Sequence, residues 1–202
     1  MRMLVVKSLI RAFLIGYEIA GRLGYASNMK DNMHPHGTWG IVGGVIACAI
    51  LMNKSEEETL EAALVASSIP LATSWEAAVT GMTVRNLYTG IACEQASRLM
   101  DYQKAGFKSS MHVVDHLWSR IMTNGINYAH FIKDSSQPFL LDKNYFKLYS
   151  ACLFTHPAID ATKILMKEKL DVSKIEIVEV ETYSLAARLY DPNPSNYLQG
   201  KF

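Results

Sequence analysis

The stretch IVGGVIACAILM, residues 41–52, decides the fold. It is apolar from end to end and full of small residues: Gly43, Gly44, Ala47 and Ala49. A glycine inside a helix costs about 1 kcal/mol against alanine. Gly43 and Gly44 make sense in a helix if another backbone packs close by. Just upstream, Gly24 to Gly40 reads as a loop rich in Asn, Gly and His. Just downstream, Ser55-Glu56-Glu57-Glu58 carries the spacing of a capping box, with Ser55 as cap and Glu58 three residues on. The three acids also suit the positive end of a helix dipole. That helix is expected from Glu56 to Ser68, with Pro70 beyond its end.

Further out, Met1 to Leu23 begins with a base and is apolar, as a signal peptide would be. Its charges argue for a soluble helix. Lys7, Arg11, Glu18 and Arg22 return to one face at helical pitch, and Leu4, Val5, Ile10, Leu14, Ile15 and Ile19 fill the others. The small-residue cleavage site and the uninterrupted apolar span needed for export or membrane crossing are missing. Asn86 to Ala105, ended by Gly106, and Met111 to Met122, ended by Asn124-Gly125, read as two further helices.

The character changes near Gln137-Pro138. Ala158 to Leu170 reads as a helix behind His156-Pro157. Lys174 to Tyr183, KIEIVEVETY, reads as a strand because β-branched residues alternate with acids. The final DPNPSNYLQGKF is loop-like. The expected fold is mainly α. Residues 1–138 form a helical domain, incomplete at its amino end, and residues 139–202 the start of a smaller α+β domain that the chain leaves truncated.

The chain has 202 residues, 50% of them hydrophobic and 19% charged, with a net charge of +1. Such a chain can bury a real core in one domain and a piece of another. The charge balance excludes nucleic-acid binding by bulk charge, yet leaves room for a local cationic pocket. Cys48, Cys93 and Cys152 are odd in number and far apart, which argues against disulfides and Cys-rich metal sites and fits a reducing cytoplasm. His112 and His116 share one helix face at zinc spacing. The Glu that metalloprotease chemistry needs does not follow the first His, and no third ligand is evident. The expectation is therefore no metal, no nucleic acid and no membrane partner.

Four local patterns occur in order. They are Gly16-Tyr17-Glu18 followed by Arg22; His34-Pro35-His36-Gly37-Thr38-Trp39-Gly40; Thr83-Val84-Arg85-Asn86-Leu87-Tyr88-Thr89-Gly90; and Phe146-Lys147-Leu148-Tyr149-Ser150-Ala151-Cys152 followed by His156-Pro157-Ala158-Ile159-Asp160-Ala161. Together they resemble the MmgE/PrpD family, which includes 2-methylcitrate dehydratase, cis-aconitate decarboxylase and iminodisuccinate epimerase. The resemblance implies a large helical domain and a smaller α+β domain with the active site in the cleft between them. It also implies cofactor-free and metal-free chemistry, homodimers and a place in propionate catabolism. Family chains are longer, and this sequence resembles their middle section. It lacks the amino-terminal helices that supply an aspartate and a further histidine.

The chemistry of such a site can be stated independently. Dehydrating a citrate-like acid removes a proton from carbon beside a carboxylate, and charge builds on the carboxylate oxygens. Cationic donors, a base and an acid are needed there. His34, in a Gly- and Pro-bounded loop, matches the family's active-site histidine and can donate to substrate or exchange protons; it can equally be a turn histidine bonded to backbone. Thr38 either lends a hydroxyl or caps the helix behind it. Arg85 stands where the family carries Lys or Arg and is assigned to carboxylate binding, since guanidinium stays charged. Tyr88 follows at i+3 on the same side. Lys147, between Phe146 and Leu148, either snorkels to water or meets a ligand. His156 belongs to the last pattern in a supporting role. His34, Lys147 and His156 are thus the catalytic candidates, and Arg85, Thr38 and Tyr88 the substrate-binding ones.

Three functions fit these residues: a lyase of this family acting on a tricarboxylate or dicarboxylate; an inactive fragment, or half of a split enzyme that needs a complementing chain; and a non-catalytic helical interaction module.

Overall fold

The structure, a computed structural model, describes residues 2–132, 134, 137–189, 191 and 193–202, with residues 2–4 described by backbone alone. Met1 and the Leu4 side chain, both part of the first-helix reading, lie outside the described residues, as does Pro192 of the terminal loop.

Helix α1 runs Arg2–Ala26 and is followed by strands β1, Ser27–Met29, and β2, Met33–His34. Helices α2, Gly40–Leu51, and α3, Glu56–Ser67, come next, then β3, Thr73–Ser74, and the short α4, Glu76–Val79. A 3-10 turn at Thr83–Leu87 leads into α5, Tyr88–Lys104. Helix α6, Met111–His116, continues as a π-helix over Leu117–Met122 and gives way to β4, Thr123–Ile126, and α7, Tyr128–Phe131. Helices α8, His156–Leu165, and α9, Ser184–Ala187, follow. The fold is mainly α, with short two-stranded sheets. In these, β1 pairs antiparallel with β4, and β2 with β3. The expected loop 24–40 therefore contains two strands. Each is too short to show the alternation by which strands are read.

The chain divides into two compact units, one of Met1–Trp75 with Val84–Asn144, the other of Glu76–Thr83 with Tyr145–Phe202. In the first, α2 is the central element. Its Ile41, Val45 and Ala49 are fully buried among Ala62 and Ala66 of α3 and Ala96 and Leu99 of α5. The glycines explain how α2 can have neighbours so near. A Cβ on Gly43 would lie 2.3 Å from the Gly16 carbonyl oxygen, and one on Gly16 would lie 2.4 Å from that of Gly43. A Cβ on Gly44 would come within 2.7 Å of Ala96 Cβ. Two backbones thus touch directly at the α1–α2 crossing, as the small-residue pattern implies.

The polar stripe of α1 divides along its length. Lys7 and Arg11 are exposed, whereas Glu18 and Arg22 are buried. Arg22 Nε donates to Glu18 Oε1 over 2.6 Å, and the Leu140 N–H donates to Glu18 Oε2 over 2.7 Å. Buried charges persist only when paired in this way. The apolar faces divide too. Val5, Val6, Leu9, Ile10 and Phe13 are between 52% and 62% exposed, so only the later turns of α1 are core helix. Among the described residues, no helix is long and apolar enough to cross a membrane.

The capping box forms as read: Glu58 N–H donates to Ser55 Oγ (3.2 Å) and Ser55 N–H to Glu58 Oε2 (2.9 Å). The helix expected over 111–122 is present but widens at Leu117. Trp118 there is buried, and its indole N–H donates to the Ser67 carbonyl over 2.8 Å.

The second unit departs most from expectation. No strand forms over 174–183: Val172–Lys174 is a 3-10 turn, residues 175–183 carry no regular structure, and Ile177 and Val178 are 76% and 74% exposed. A strand exists only through pairing, and β-propensity alone does not supply a partner. The helix expected to reach Leu170 stops at Leu165, and Lys169 ends the following 3-10 turn at φ +57°. The terminal segment is not all loop. It forms a 3-10 turn at Gln199–Lys201, and the Lys201 carbonyl accepts the Cys152 N–H over 2.7 Å.

Replacing Gly43 or Gly16 by alanine should cost about 1–3 kcal/mol through overpacking. Gly40→Ala, with nothing within 4 Å of the added carbon, should be near neutral; urea unfolding compares the three. A hydrogen bond from Lys54, then that from the Ser55 amide, holds the Glu58 carboxyl below its usual 4.5. A group lowered on folding stabilises above its unfolded pKa, and this contribution disappears as pH falls through the folded pKa. Glu58→Gln should therefore flatten the acid limb of a stability–pH curve without changing the plateau shape above neutrality.

Candidate functional site

Strand pairing places the first candidate. His34 lies opposite Thr73 across the β2–β3 ladder. Its carbonyl accepts from Thr73 Oγ1 (2.9 Å) and from Thr38 Oγ1 (3.3 Å). The side chain is 2% exposed. The His36 main-chain N–H donates to His34 Nδ1 over 3.1 Å. Trp75 meets the imidazole edge-on at 4.7 Å between centroids, and the Tyr88 ring lies at 5.9 Å.

The loop can sit this close to α5 because residue 37 is glycine. Its φ is +86°, and a Cβ there would stand 2.8 Å from the Tyr88 carbonyl oxygen. Arg85, half-buried in the 3-10 turn before α5, is near enough for its charge to act on His34. Burial first, then the positive charges of His36 and Arg85, push the His34 imidazole down from 6.5 to about 4. At neutral pH this histidine is uncharged. His34, Thr38, Arg85 and Tyr88 therefore gather around one loop of the first unit.

Thr38 is fully buried, and its hydroxyl faces the His34 and Leu71 carbonyls at 3.3 and 3.4 Å. It makes no cap for α2. It holds the loop, which corrects the helix cap expected of it. A cavity of about 710 Å³ in the same unit, lined by Val65, Ile69, Leu99, Tyr102 and Phe107 among others, contains none of the candidates.

The other two candidates belong to the second unit. Lys147 is exposed, and its ammonium donates to the Ala151 carbonyl over 3.1 Å. Phe146 and Leu148, 96% and 84% exposed, give it no apolar surround. His156 is buried at the start of α8, with Pro157 in the first turn, where a missing N–H does no harm. Its ring meets that of Tyr149 edge-on at 5.0 Å, and its Nε2 has no hydrogen-bond partner among the described residues. The Tyr149 hydroxyl donates to Asp160, and the Lys163 ammonium stands 4.8 Å over the Tyr149 ring. His112 and His116 are exposed, and no group of three or more metal-binding side chains occurs among the described residues.

A family model, the MmgE/PrpD N-terminal domain, matches residues 3–128, more than half of the chain. The chain belongs to the MmgE/PrpD family. No curated protein matches it.

MmgE/PrpD proteins are of the dehydratase and lyase type. The matched span covers His34, Thr38, Arg85 and Tyr88 and stops before Lys147 and His156. Two residues that shape the MmgE/PrpD loop are invisible to motif reading. Thr73 and Trp75 stand about forty positions downstream of His34 in a stretch with no pattern of its own, and only the β2–β3 pairing brings them to the imidazole. Gly37→Ala should cost more than the roughly 1–2 kcal/mol of a left-handed backbone alone. The added methyl also meets the Tyr88 carbonyl, and denaturant unfolding measures the loss.

Proposed function

We propose that the chain carries an MmgE/PrpD-type lyase site that removes water from a 2-methylcitrate-like tricarboxylate without a cofactor. In such a step a base takes the proton from carbon beside a carboxylate, the C–H electron pair forms the enediolate-like carbanion, and the C–O bond then breaks as a proton is delivered to the departing hydroxyl, leaving a double bond and water. Arg85 binds a substrate carboxylate through its guanidinium fork. His34 serves in proton transfer or charge stabilisation. Lys147 carries or stabilises the moving proton, and His156 supports it. Thr38 holds the His34 loop, and Tyr88 forms its wall. The observation that carries this reading is a buried, uncharged imidazole beside a guanidinium, on a loop pinned by two threonine hydroxyls. A site for a multiply charged acid needs a cation and a preorganised donor of this kind. The same carbanion would serve a decarboxylase or an epimerase, and the helical domain of residues 1–138, the cytoplasm and a homo-oligomer suit all three.

A second reading, a chain active only with a complementing chain, is supported by the exposed apolar residues Val5, Val6, Leu9, Ile10 and Phe13 of α1. Contiguous surfaces of this kind mark contact sites. Light scattering on a sizing column tests it: a monodisperse, cooperatively melting monomer speaks against it.

Ultraviolet absorbance for double-bond formation from 2-methylcitrate and citrate, with carbon dioxide release from cis-aconitate, tests the first reading. Turnover is expected with at least one acid. Arg85→Gln should raise KM about 10- to 100-fold, the loss of one charge-assisted bond of roughly 1.5–3 kcal/mol. Folded protein silent on all three acids overturns the lyase reading for this chain by itself and leaves the chain that needs a complementing chain and the helical interaction module.

A further inference from the structure

We propose that the His36 amide and Trp75 fix His34 as the neutral tautomer protonated at Nε2, so that His34 acts as a hydrogen-bond donor and not as a base. Trp75 is then a positioning residue for the donor. The inference rests on the lyase reading only for what the donor serves, a carboxylate oxygen that gains charge.

The argument begins with the ring nitrogens. A neutral imidazole has one N–H and one lone pair. The His36 N–H points at Nδ1 over 3.1 Å, so Nδ1 must be the acceptor and the proton must sit on Nε2. A proton could enter only at Nδ1, displacing the His36 amide. Trp75 closes one side of the ring at 4.7 Å, and the imidazole is 2% exposed, so a charged ring would lose most of its hydration. The groups facing the ring act in the same sense. His36 on its own loop and Arg85 on the 3-10 turn are the charged groups that act on it. Tyr88 of α5 is the other titratable neighbour in ring contact. On the β3 side stand Thr73 and Trp75, which do not titrate. A second hold is on the main chain, where Thr73 and Thr38 both bond the His34 carbonyl. A neutral histidine that polarises a carbonyl without becoming a cation is a known catalytic device.

The test is a pH titration of the full, 15N-labelled chain by two-bond proton–nitrogen correlation, with the His34 signals assigned by their loss in His34→Gln. The expected result is an Nε2-protonated neutral ring whose signals stay flat from about pH 8 to about pH 5. Trp75→Phe should preserve this behaviour. Trp75→Ala, or Trp75→Leu if the alanine variant is poorly folded, should raise the His34 midpoint toward 6.5 or mix the tautomers. A His34 that titrates near 6.5 in the parent chain, or that carries its proton on Nδ1, overturns the proposal. A midpoint and tautomer unmoved in the Trp75→Ala and Trp75→Leu variants overturn the part given to Trp75. No substrate is present in this titration. A flat His34 in a silent protein therefore sinks only the lyase reading, and a titrating His34 in an active enzyme sinks only this one.

Discussion

Backbone meets backbone where α1 crosses α2. Gly16 and Gly43 each sit where the other's carbonyl oxygen leaves no space for a side chain. Most of the first unit follows from that contact. It brings Ile15 and Ile19 of α1 against the buried face of α2, and Gly44 lets α5 approach the same helix through Ala96. Once α2 is fixed, the loop before it is fixed at one end. Thr38 and Thr73 hold that loop from either side through the His34 carbonyl, and Gly37 lets it lie against the start of α5. The candidate site is thus an outcome of helix packing. The histidine is buried because the loop that carries it has nowhere else to go.

The family patterns acquire separate physical meanings when placed on the structure. In the first, Gly16 permits the helix crossing, and Glu18 with Arg22 forms a buried ion pair that also receives the Leu140 amide. Those residues organise the interior. In the second, His34 is the buried imidazole, while Gly37, Thr38 and Trp39 shape the turn; Trp39 covers Gly24, where a Cβ would lie 2.7 Å from its ring. Such a motif therefore mixes titratable side chains with residues that make room for them.

The helices were legible in the sequence because their signals are local. Ser55 and Glu58 form the capping box their spacing announces, and Gly43 marks a close approach that is present. What the sequence concealed depends on partners distant along the chain. The strand reading of KIEIVEVETY weighed β-propensity correctly, but a ladder needs a second strand, and none faces residues 175–183 among those described. Trp75 and Thr73 could not be linked to His34 without the β2–β3 pairing. Thr38 stands where a helix cap would, but depth in the core turned its hydroxyl toward main-chain carbonyls. Glu18 and Lys7 share a helix face by periodicity, and only the neighbours of each turn decide that one is buried and the other wet.

The widened turn at Leu117–Met122 has a bearing on how this helix tolerates change in chain length. A π-helical turn holds more residues per hydrogen-bonded loop than an α-helical one, and such bulges commonly accommodate an inserted residue. Deleting one position there would regularise the helix and swing everything beyond the cut by about 100° around its axis. Trp118 would then trade its bond to Ser67 for a new heading, and Thr123, whose hydroxyl bonds the Trp118 carbonyl, would lose its place at the start of β4. Length variation in relatives should therefore avoid this turn and collect in the connections on either side of it.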